Sequence, residues 1–361
     1  MHVALVVGTR PEIIKMARVL DQLRQQDVEF DFVLTGQHYD YELSRSFIKE
    51  LSLPEPNSCF QLKNSTPASQ IGEIMTNLEP ILKNASIRVL LIQGDTNSML
   101  ATALTGAKLG VPVAHIEAGL RSYDWRMPEE HNRRMVDHIS DLLFAPTEAS
   151  KRNLIDEHVH GEVFVTGNTV IDAVNHYVSL AEKSSDILKR VPFRDFCFVT
   201  FHRKENVDSP EVLREFVDSL TELEVPAVFP VHPRTDHRIR EFGLYQNLAS
   251  SSHIYLLPPI GYFDSLVLMK ACQFILTDSG GLQEEATSSS IRKPVIVLRP
   301  STERPEAVEA GFARIGGVTK HTILDAVHEI QKKSLVLPEQ SPFGDGRAAE
   351  RIVRTIREKF G

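Results

Sequence analysis

The sequence predicts an α/β protein made of two doubly wound, Rossmann-like domains facing a central cleft. Three observations carry this expectation. Short, continuous apolar runs alternate with amphipathic segments long enough to be crossover helices. The runs fall into two clusters separated by a charged stretch. Residues able to do chemistry stand repeatedly just after the runs, which is where open parallel sheets bind ligands.

In the first cluster the runs are Val3–Val7, Phe30–Leu34, Val89–Ile92, Val113–Ile116, Leu142–Ala145 and Val163–Val165. In the second they are Phe196–Thr200, Ala227–Phe229, Ile254–Leu257, Phe274–Leu276 and Val295–Leu298. Runs without polar alternation suit strands buried on both faces. The seam is expected near Gly167–Asp172, with Glu182–Arg194 leading into the second sheet. This gives an N-terminal domain over 1–168 and a C-terminal domain over 169–346. With two such sheets facing each other, the cleft between them is the expected site.

Composition bounds the function. At 361 residues the chain is longer than one core usually serves. Its net charge of −8 excludes wholesale binding of nucleic acid, so an anionic ligand must meet a local basic cluster. The cysteines Cys59, Cys197 and Cys272 form no C-x-x-C pair and lie in or near apolar segments, so they read as small buried hydrophobes in a reducing, cytoplasmic compartment. The apolar start Met1–Gly8 is short and lacks a basic leader, and is read as a first strand. No run approaches the roughly 18 apolar residues of a membrane span, so no membrane partner is expected.

After the first run comes Gly8-Thr9-Arg10-Pro11-Glu12, with Lys15 one turn later. Thr9 and Glu12 have capping-box spacing and Pro11 suits a first helical turn. Beyond a well-made helix start, Arg10 and Lys15 add cations where a helix N-terminus already favours an anion. The G-x-G-x-x-G dinucleotide fingerprint is absent. Gly94-Asp95-Thr96 follows the third run, His115-Ile116-Glu117-Ala118-Gly119 the fourth, and Pro128-Glu129-Glu130-His131-Asn132-Arg133 comes a little later. A lone acid at a strand end is usually a cap or a surface residue. Asp95, Glu117 and one of Glu129/Glu130 on one rim favour acid/base work.

The second half offers anion-binding residues. Its first strand is followed by His202-Arg203-Lys204-Glu205-Asn206 and the next by His232-Pro233-Arg234. Then come Asp278-Ser279-Gly280-Gly281, with Glu284 and Glu285 one to two turns on, and Arg299–Glu306. A strand ending in Ser-Gly-Gly leaves backbone N–H groups uncovered for a diphosphate, and an acid further on can accept from a ribose diol. The 14 histidines show no H-E-x-x-H spacing, and no metal site is expected.

These motifs resemble the non-hydrolysing UDP-N-acetylglucosamine 2-epimerases. The resemblance rests on Gly-Thr-Arg-Pro-Glu at 8–12, Gly-Asp-Thr at 94–96, His-Ile-Glu-Ala-Gly-Leu-Arg-Ser at 115–122 and Pro-Glu-Glu at 128–130. Gly-Asn-Thr-Val-Ile-Asp at 167–172, His-Arg-Lys-Glu-Asn at 202–206, Ser279–Glu285 and Thr-Glu-Arg-Pro-Glu at 302–306 continue it in collinear order to Pro-Phe-Gly-Asp-Gly at 342–346. It implies the glycosyltransferase-B architecture, a C-terminal helix over 347–361 that packs on the first domain, a homodimer, and no cofactor. It also implies that UDP is held by Ser279, Gly280, Gly281, Glu285 and Arg304, with Arg10, Lys15 and His202 toward the diphosphate. Asp95, Glu117 and Glu129 would be the catalytic carboxylates, joined by His202, with Arg133 and His232 as further candidates. The segment Gln37–Arg45 departs from the glutamine-bearing pattern of substrate-activated bacterial members and looks more like archaeal ones.

The implied chemistry is C2 inversion of UDP-N-acetylglucosamine to UDP-N-acetylmannosamine, a step toward cell-surface polysaccharides. The C2 proton is not α to a carbonyl, so the resemblance implies loss of UDP to 2-acetamidoglucal and re-addition. Rival readings are a 2-epimerase of a UDP-diacetamido-uronic acid, a glycosyltransferase, a hydrolysing epimerase and a UDP-sugar sensor. The uronic-acid epimerases tend toward Gly-Ala-Arg-Pro-Gln where this chain has Gly-Thr-Arg-Pro-Glu, and a sensor needs no carboxylate cluster.

Overall fold

The computed structural model describes residues 1–36, 47–63, 66–84, 86–332 and 336–361; the Gln37–Arg45 segment lies outside the described residues. The chain divides into two units, Met1–Ala173 with Phe343–Gly361, and Val174–Pro342. The first division falls inside the Thr169–Ser184 helix rather than at its start.

The first unit carries a seven-stranded sheet in the order β3-β2-β1-β4-β5-β6-β7. The strands are β1 (His2–Val7), β2 (Glu29–Leu34), β3 (Ser58–Cys59), β4 (Ile87–Gln93), β5 (Val113–Ile116), β6 (Leu142–Ala145) and β7 (Glu162–Val165). All neighbours pair in parallel, with Val3 opposite Phe30 and Ala114 opposite Leu142. Val3 to Val7 and Val89 to Ile92 are buried, as continuous apolar runs in a two-sided sheet require. The expectation of burial fails at the edges. Val165 on β7 is exposed, and Cys59 on β3 is exposed rather than a buried hydrophobe, because an edge strand has no neighbour on one side. Cys197 and Cys272 are buried, and burial pushes the Cys272 thiol up to about 12.

The Ala348–Phe360 helix belongs to this unit and packs on the Arg10–Gln25 helix. Its buried face is Ala349, Ile352, Val353 and Ile356, a helical stripe. Asp172 caps it from another helix, accepting from the Ala348 and Ala349 N–H groups at 3.1 and 2.8 Å.

The second unit carries a six-stranded parallel sheet in the order β10-β9-β8-β11-β12-β13. Its strands are β8 (Cys197–Thr200), β9 (Ala227–Pro230), β10 (Ile254–Leu257), β11 (Ile275–Thr277), β12 (Val295–Val297) and β13 (Ala313–Ile315). Under it Phe201 stacks on Phe216 at 3.9 Å and Phe229 meets Phe216 edge-on. In both sheets the strand order reverses beside the first strand, between β1 and β4 and between β8 and β11. Doubly wound sheets bind ligands at the carboxyl ends of such pairs. No described helix is long and apolar enough to cross a membrane.

Candidate active site

In the first unit the functional side chains follow β1, β4 and β5. Gly8 ends β1 where a Cβ would lie 2.5 Å from the Ser98 hydroxyl, so only glycine fits. The capping box forms, and Glu12 does more than cap. Its carboxyl accepts from the Gly8 and Thr9 N–H groups at 2.5 and 2.9 Å, and from the Thr96 hydroxyl at 2.7 Å. Burial pushes Glu12 up to about 7 against these donors, with Asp95 adding to the rise. Arg10 is exposed and lies over the Phe47 ring at 4.1 Å.

Lys15, expected to face a diphosphate, is buried and donates to Glu117 at 2.5 Å, and Gln93 donates to the same oxygen at 2.6 Å. Glu117 itself adopts φ +73°, a left-handed conformation uncommon for any residue that carries a Cβ. Its N–H and that of Ala118 are fixed on the Phe144 carbonyl at 3.1 and 3.2 Å. Such strain persists only where surrounding bonds over-determine it, and it clusters at functional sites.

Asp95 is 31% exposed and its carboxylate pairs with the buried Arg133 at 2.5 Å. Arg133, a further ligand candidate from the sequence, is thus bound between Asp95 and Glu130. Glu129 and Glu130 have different surroundings. Glu130 is fully buried and accepts from Ser122, Arg133 and Arg134. Burial would raise its pKa, but these donors together lower it. Glu129 is half-buried and makes no ion pair or hydrogen bond among the described residues. Of the two, Glu129 is the more accessible.

In the second unit the acids are buried. Asp278, after β11, is fully buried and accepts from the backbone N–H groups of His202 and Arg203 at 2.9 and 2.8 Å, and from Asn206 at 3.2 Å. It thereby clamps the loop after β8. His202 lies half-buried above it, with its ring 5.7 Å from that of His232. His232 is lowered by burial and then by His202. Ser279, Gly280 and Gly281 open the Gly280–Glu285 helix.

Glu303 was not singled out in the sequence, and it organises this rim. It pairs with Arg203 at 3.1 Å and with Arg299. Burial would raise its carboxyl, but Arg304, Arg299 and Arg203 lower it to about 2. A Cβ on Gly280 would lie 2.7 Å from Glu303, so the glycine is needed for this approach. Arg304, expected to hold UDP, is buried with its Nε on Glu284 and another nitrogen on the Glu303 carbonyl. Thr302 joins the cluster by donating to Gln283 at 2.5 Å. Glu285 is buried. No group of three or more His, Cys, Asp or Glu that could hold a metal occurs among the described residues.

The comparisons with known proteins agree over the full length. A family profile described as UDP-N-acetylglucosamine 2-epimerase matches residues 21–357. The UDP-N-acetylglucosamine 2-epimerase of Methanocaldococcus jannaschii is 40% identical over 99% of both chains. Its crystal structure in complex with UDP-GlcNAc and UDP superimposes with a TM-score of 0.89, covering 99% of this chain and 100% of that one. The Neisseria meningitidis UDP-GlcNAc 2-epimerase bound to UDP-GlcNAc gives the same TM-score at 32% identity, again over 99% and 100% of the chains. The UDP-2,3-diacetamido-2,3-dideoxy-D-glucuronate 2-epimerase of Pseudomonas aeruginosa is 32% identical over 99% of both chains. On the profile match and on 40% identity over the full length, the chain belongs to the UDP-N-acetylglucosamine 2-epimerase family.

Proposed function

We propose that this chain interconverts UDP-N-acetylglucosamine and UDP-N-acetylmannosamine by elimination and re-addition of UDP. The observation that carries the reading is the set of acids at the carboxyl edge of the first sheet. Asp95 and Glu129 are open to a ligand there, and Glu117 is held in a strained turn beside them. In the elimination a carboxylate takes the C2 proton while the C1–O bond to UDP breaks, giving 2-acetamidoglucal. In the return step UDP oxygen re-bonds to C1 and a proton is delivered to the opposite face of C2. The two steps are redox-neutral.

In this reading the second unit takes the UDP. Ser279, Gly280 and Gly281 offer backbone N–H groups, and His202 stands after β8 to meet the diphosphate as charge develops on it. Arg10, exposed just after β1, is the first unit's cation nearest that edge in sequence. Arg304 and Glu285 act by shaping the UDP cradle. His232 and Arg133 support their neighbours. The family assignment at 40% identity favours the acetylglucosamine substrate over the uronate, whose relative is at 32%. We further infer a cytoplasmic homodimer feeding cell-surface polysaccharide synthesis, with light scattering as the check on the dimer.

Proton NMR of the purified protein with UDP-N-acetylglucosamine alone in deuterated water tests the reaction. The expected result is UDP-N-acetylmannosamine carrying deuterium at C2. Intact substrate overturns the reading in favour of the uronate substrate or an acceptor-dependent transferase. Free UDP with free sugar means hydrolysis.

A further inference from the structure

One continuous chain of ion pairs, completed by a hydrogen bond to His115, runs through the first unit, and both of its ends close on the same turn. From Asp95 it passes through Arg133 (2.5 Å) to Glu130 (3.0 Å), then through Arg134 (3.1 Å) and Glu157 (2.6 Å) to Arg121 (2.6 Å). It continues to Asp137 (2.7 Å) and His115 (2.7 Å). The other ring nitrogen of His115 lies 2.9 Å from the carbonyl oxygen of Gly94, the residue before Asp95.

The chain and its neighbour Asn132 make further backbone contacts around these acids. Asp137 accepts from the Gly119 N–H at 3.1 Å, just past the Glu117 turn. Glu130, adjacent to Glu129, accepts from the Ser122 N–H and hydroxyl, both at 2.9 Å. Asn132 donates to the Asp95 carbonyl at 2.9 Å. The turn being held is soft by itself, since Gly94 sits at φ +86°. Its holders are buried: His115 is 1% exposed and Arg133 5%.

Such a network is a poor way to gain stability. Each ion costs several kcal/mol to desolvate, and well-packed apolar side chains often do as well or better. What buried, directional pairs supply is one fixed geometry. Burial would raise the Asp137 carboxyl, yet His115 and Arg121 together lower it, so the chain stays charged where it meets the histidine.

We propose that His115 and Arg133 are positioning residues that grip the Asp95 turn from two sides and keep Asp95 in register with Glu117 and Glu129. The proposal rests on the functional reading above. In this proposal each acts through Asp95, Arg133 by its pair with the carboxylate and His115 by its bond to the Gly94 carbonyl.

The test is a double-mutant cycle with His115→Gln, Arg133→Lys and the double variant. It reads kcat and KM for UDP-N-acetylglucosamine, and UDP affinity by calorimetry. Glutamine can serve the Gly94 carbonyl but not Asp137 as well, and lysine keeps the charge of Arg133 without its planar fork. Each single variant should lose about 10²-fold in kcat, the scale of a 1 Å misplacement, with UDP affinity unchanged. The double variant should lose little more than the worse single one. Independent effects would instead multiply to about 10⁴-fold, which overturns the single device. Single variants with kcat within about threefold of the wild type overturn the positioning role. A merely structural role would lower kcat and the UDP-binding stoichiometry together through loss of folded protein, whereas a positioning role leaves the stoichiometry at the wild-type value. If His115→Gln does not fold, Arg133→Lys decides alone by the same kcat criterion. A wild-type protein that does not epimerise sinks the functional reading instead, so the two failures are distinct.

Discussion

Glu12 and Glu303 are carboxyls of the same kind, buried to nearly the same extent, each at the ligand-binding edge of its own sheet. Yet burial carries Glu12 up to about 7, while Glu303 is held at about 2. The neighbours decide. Glu12 is met by dipoles, two backbone N–H groups and a hydroxyl, with the like charge of Asp95 nearby. Glu303 is met by the guanidinium groups of Arg203, Arg299 and Arg304. The same contrast extends along both rims. In the first unit the cations Lys15, Arg121 and Arg133 are buried partners while Asp95 and Glu129 stay open; Arg10 is the exception. In the second unit the acids Asp278, Glu284 and Glu303 are buried, with Arg299 and Arg304 buried beside them, while Arg203, Lys204 and His202 stay open. One rim leaves acids open and the other leaves cations and N–H donors open, which the proposed function reads as proton transfer and diphosphate binding.

The sharpest way to break that contrast is to neutralise the three proposed catalytic acids, the open Asp95 and Glu129 and the buried Glu117. Asp95→Asn, Glu117→Gln and Glu129→Gln should each lower kcat by about 10²–10⁴-fold, the usual worth of a positioned acid or base. UDP affinity, measured by calorimetry, should stay within a few-fold. A variant that loses UDP affinity and kcat in equal measure would move that carboxylate to the anion-binding side of the comparison.

Neutralising a buried acid on the other rim should act on the fold and on UDP instead. Glu303→Gln leaves three guanidinium groups without their shared anion, and removing one partner of a buried pair costs about 3–5 kcal/mol. Urea unfolding at pH 7 and UDP calorimetry read both effects. The sign with pH follows from the depressed carboxyl. The Glu303 contribution is present above its unfolded value of 4.5 and is lost as pH falls through about 2. The gap between wild type and variant should therefore close on acidification. A gap independent of pH would mean that the arginines do not depend on the Glu303 charge.

Much of this was legible in the sequence because buried parallel strands are written as continuous apolar runs. Residues after such runs stand at the ligand edge, which is how Asp95, Glu117 and the Ser279–Gly281 turn could be read. Ser58–Cys59 and Ala313–Ile315 escaped because each is too short to make a run and owes its pairing to a neighbouring strand. The ion-pair chain through His115, Arg121, Glu157 and Asp137 escaped for a different reason. Its members lie on separate elements, and a charged residue on a helix reads as solvated until tertiary packing buries it. Likewise nothing in the local pattern separates Glu129 from Glu130, or shows that Lys15 and Arg304 face carboxylates. Those distinctions depend on which side chain turns inward.

The smallest expected effect tests the comparison at its root. Glu12 binds its proton more tightly in the folded state, since its pKa rises from 4.5 to about 7. Its contribution to stability is then fully present below pH 4.5 and is lost as pH rises through about 7, with a slope of at most about 1.4 kcal/mol per pH unit. Glu12→Gln removes that titration while keeping one carbonyl acceptor for the Gly8 or Thr9 N–H. Thermal unfolding of both proteins between pH 5 and 8 should show the wild-type advantage shrinking as pH rises and levelling off above about 7. An advantage that grows with pH would mean the N–H and hydroxyl dipoles stabilise the Glu12 carboxylate as well as the arginines stabilise Glu303. The two rims would then differ in which charges they expose, but not in how they treat a buried acid.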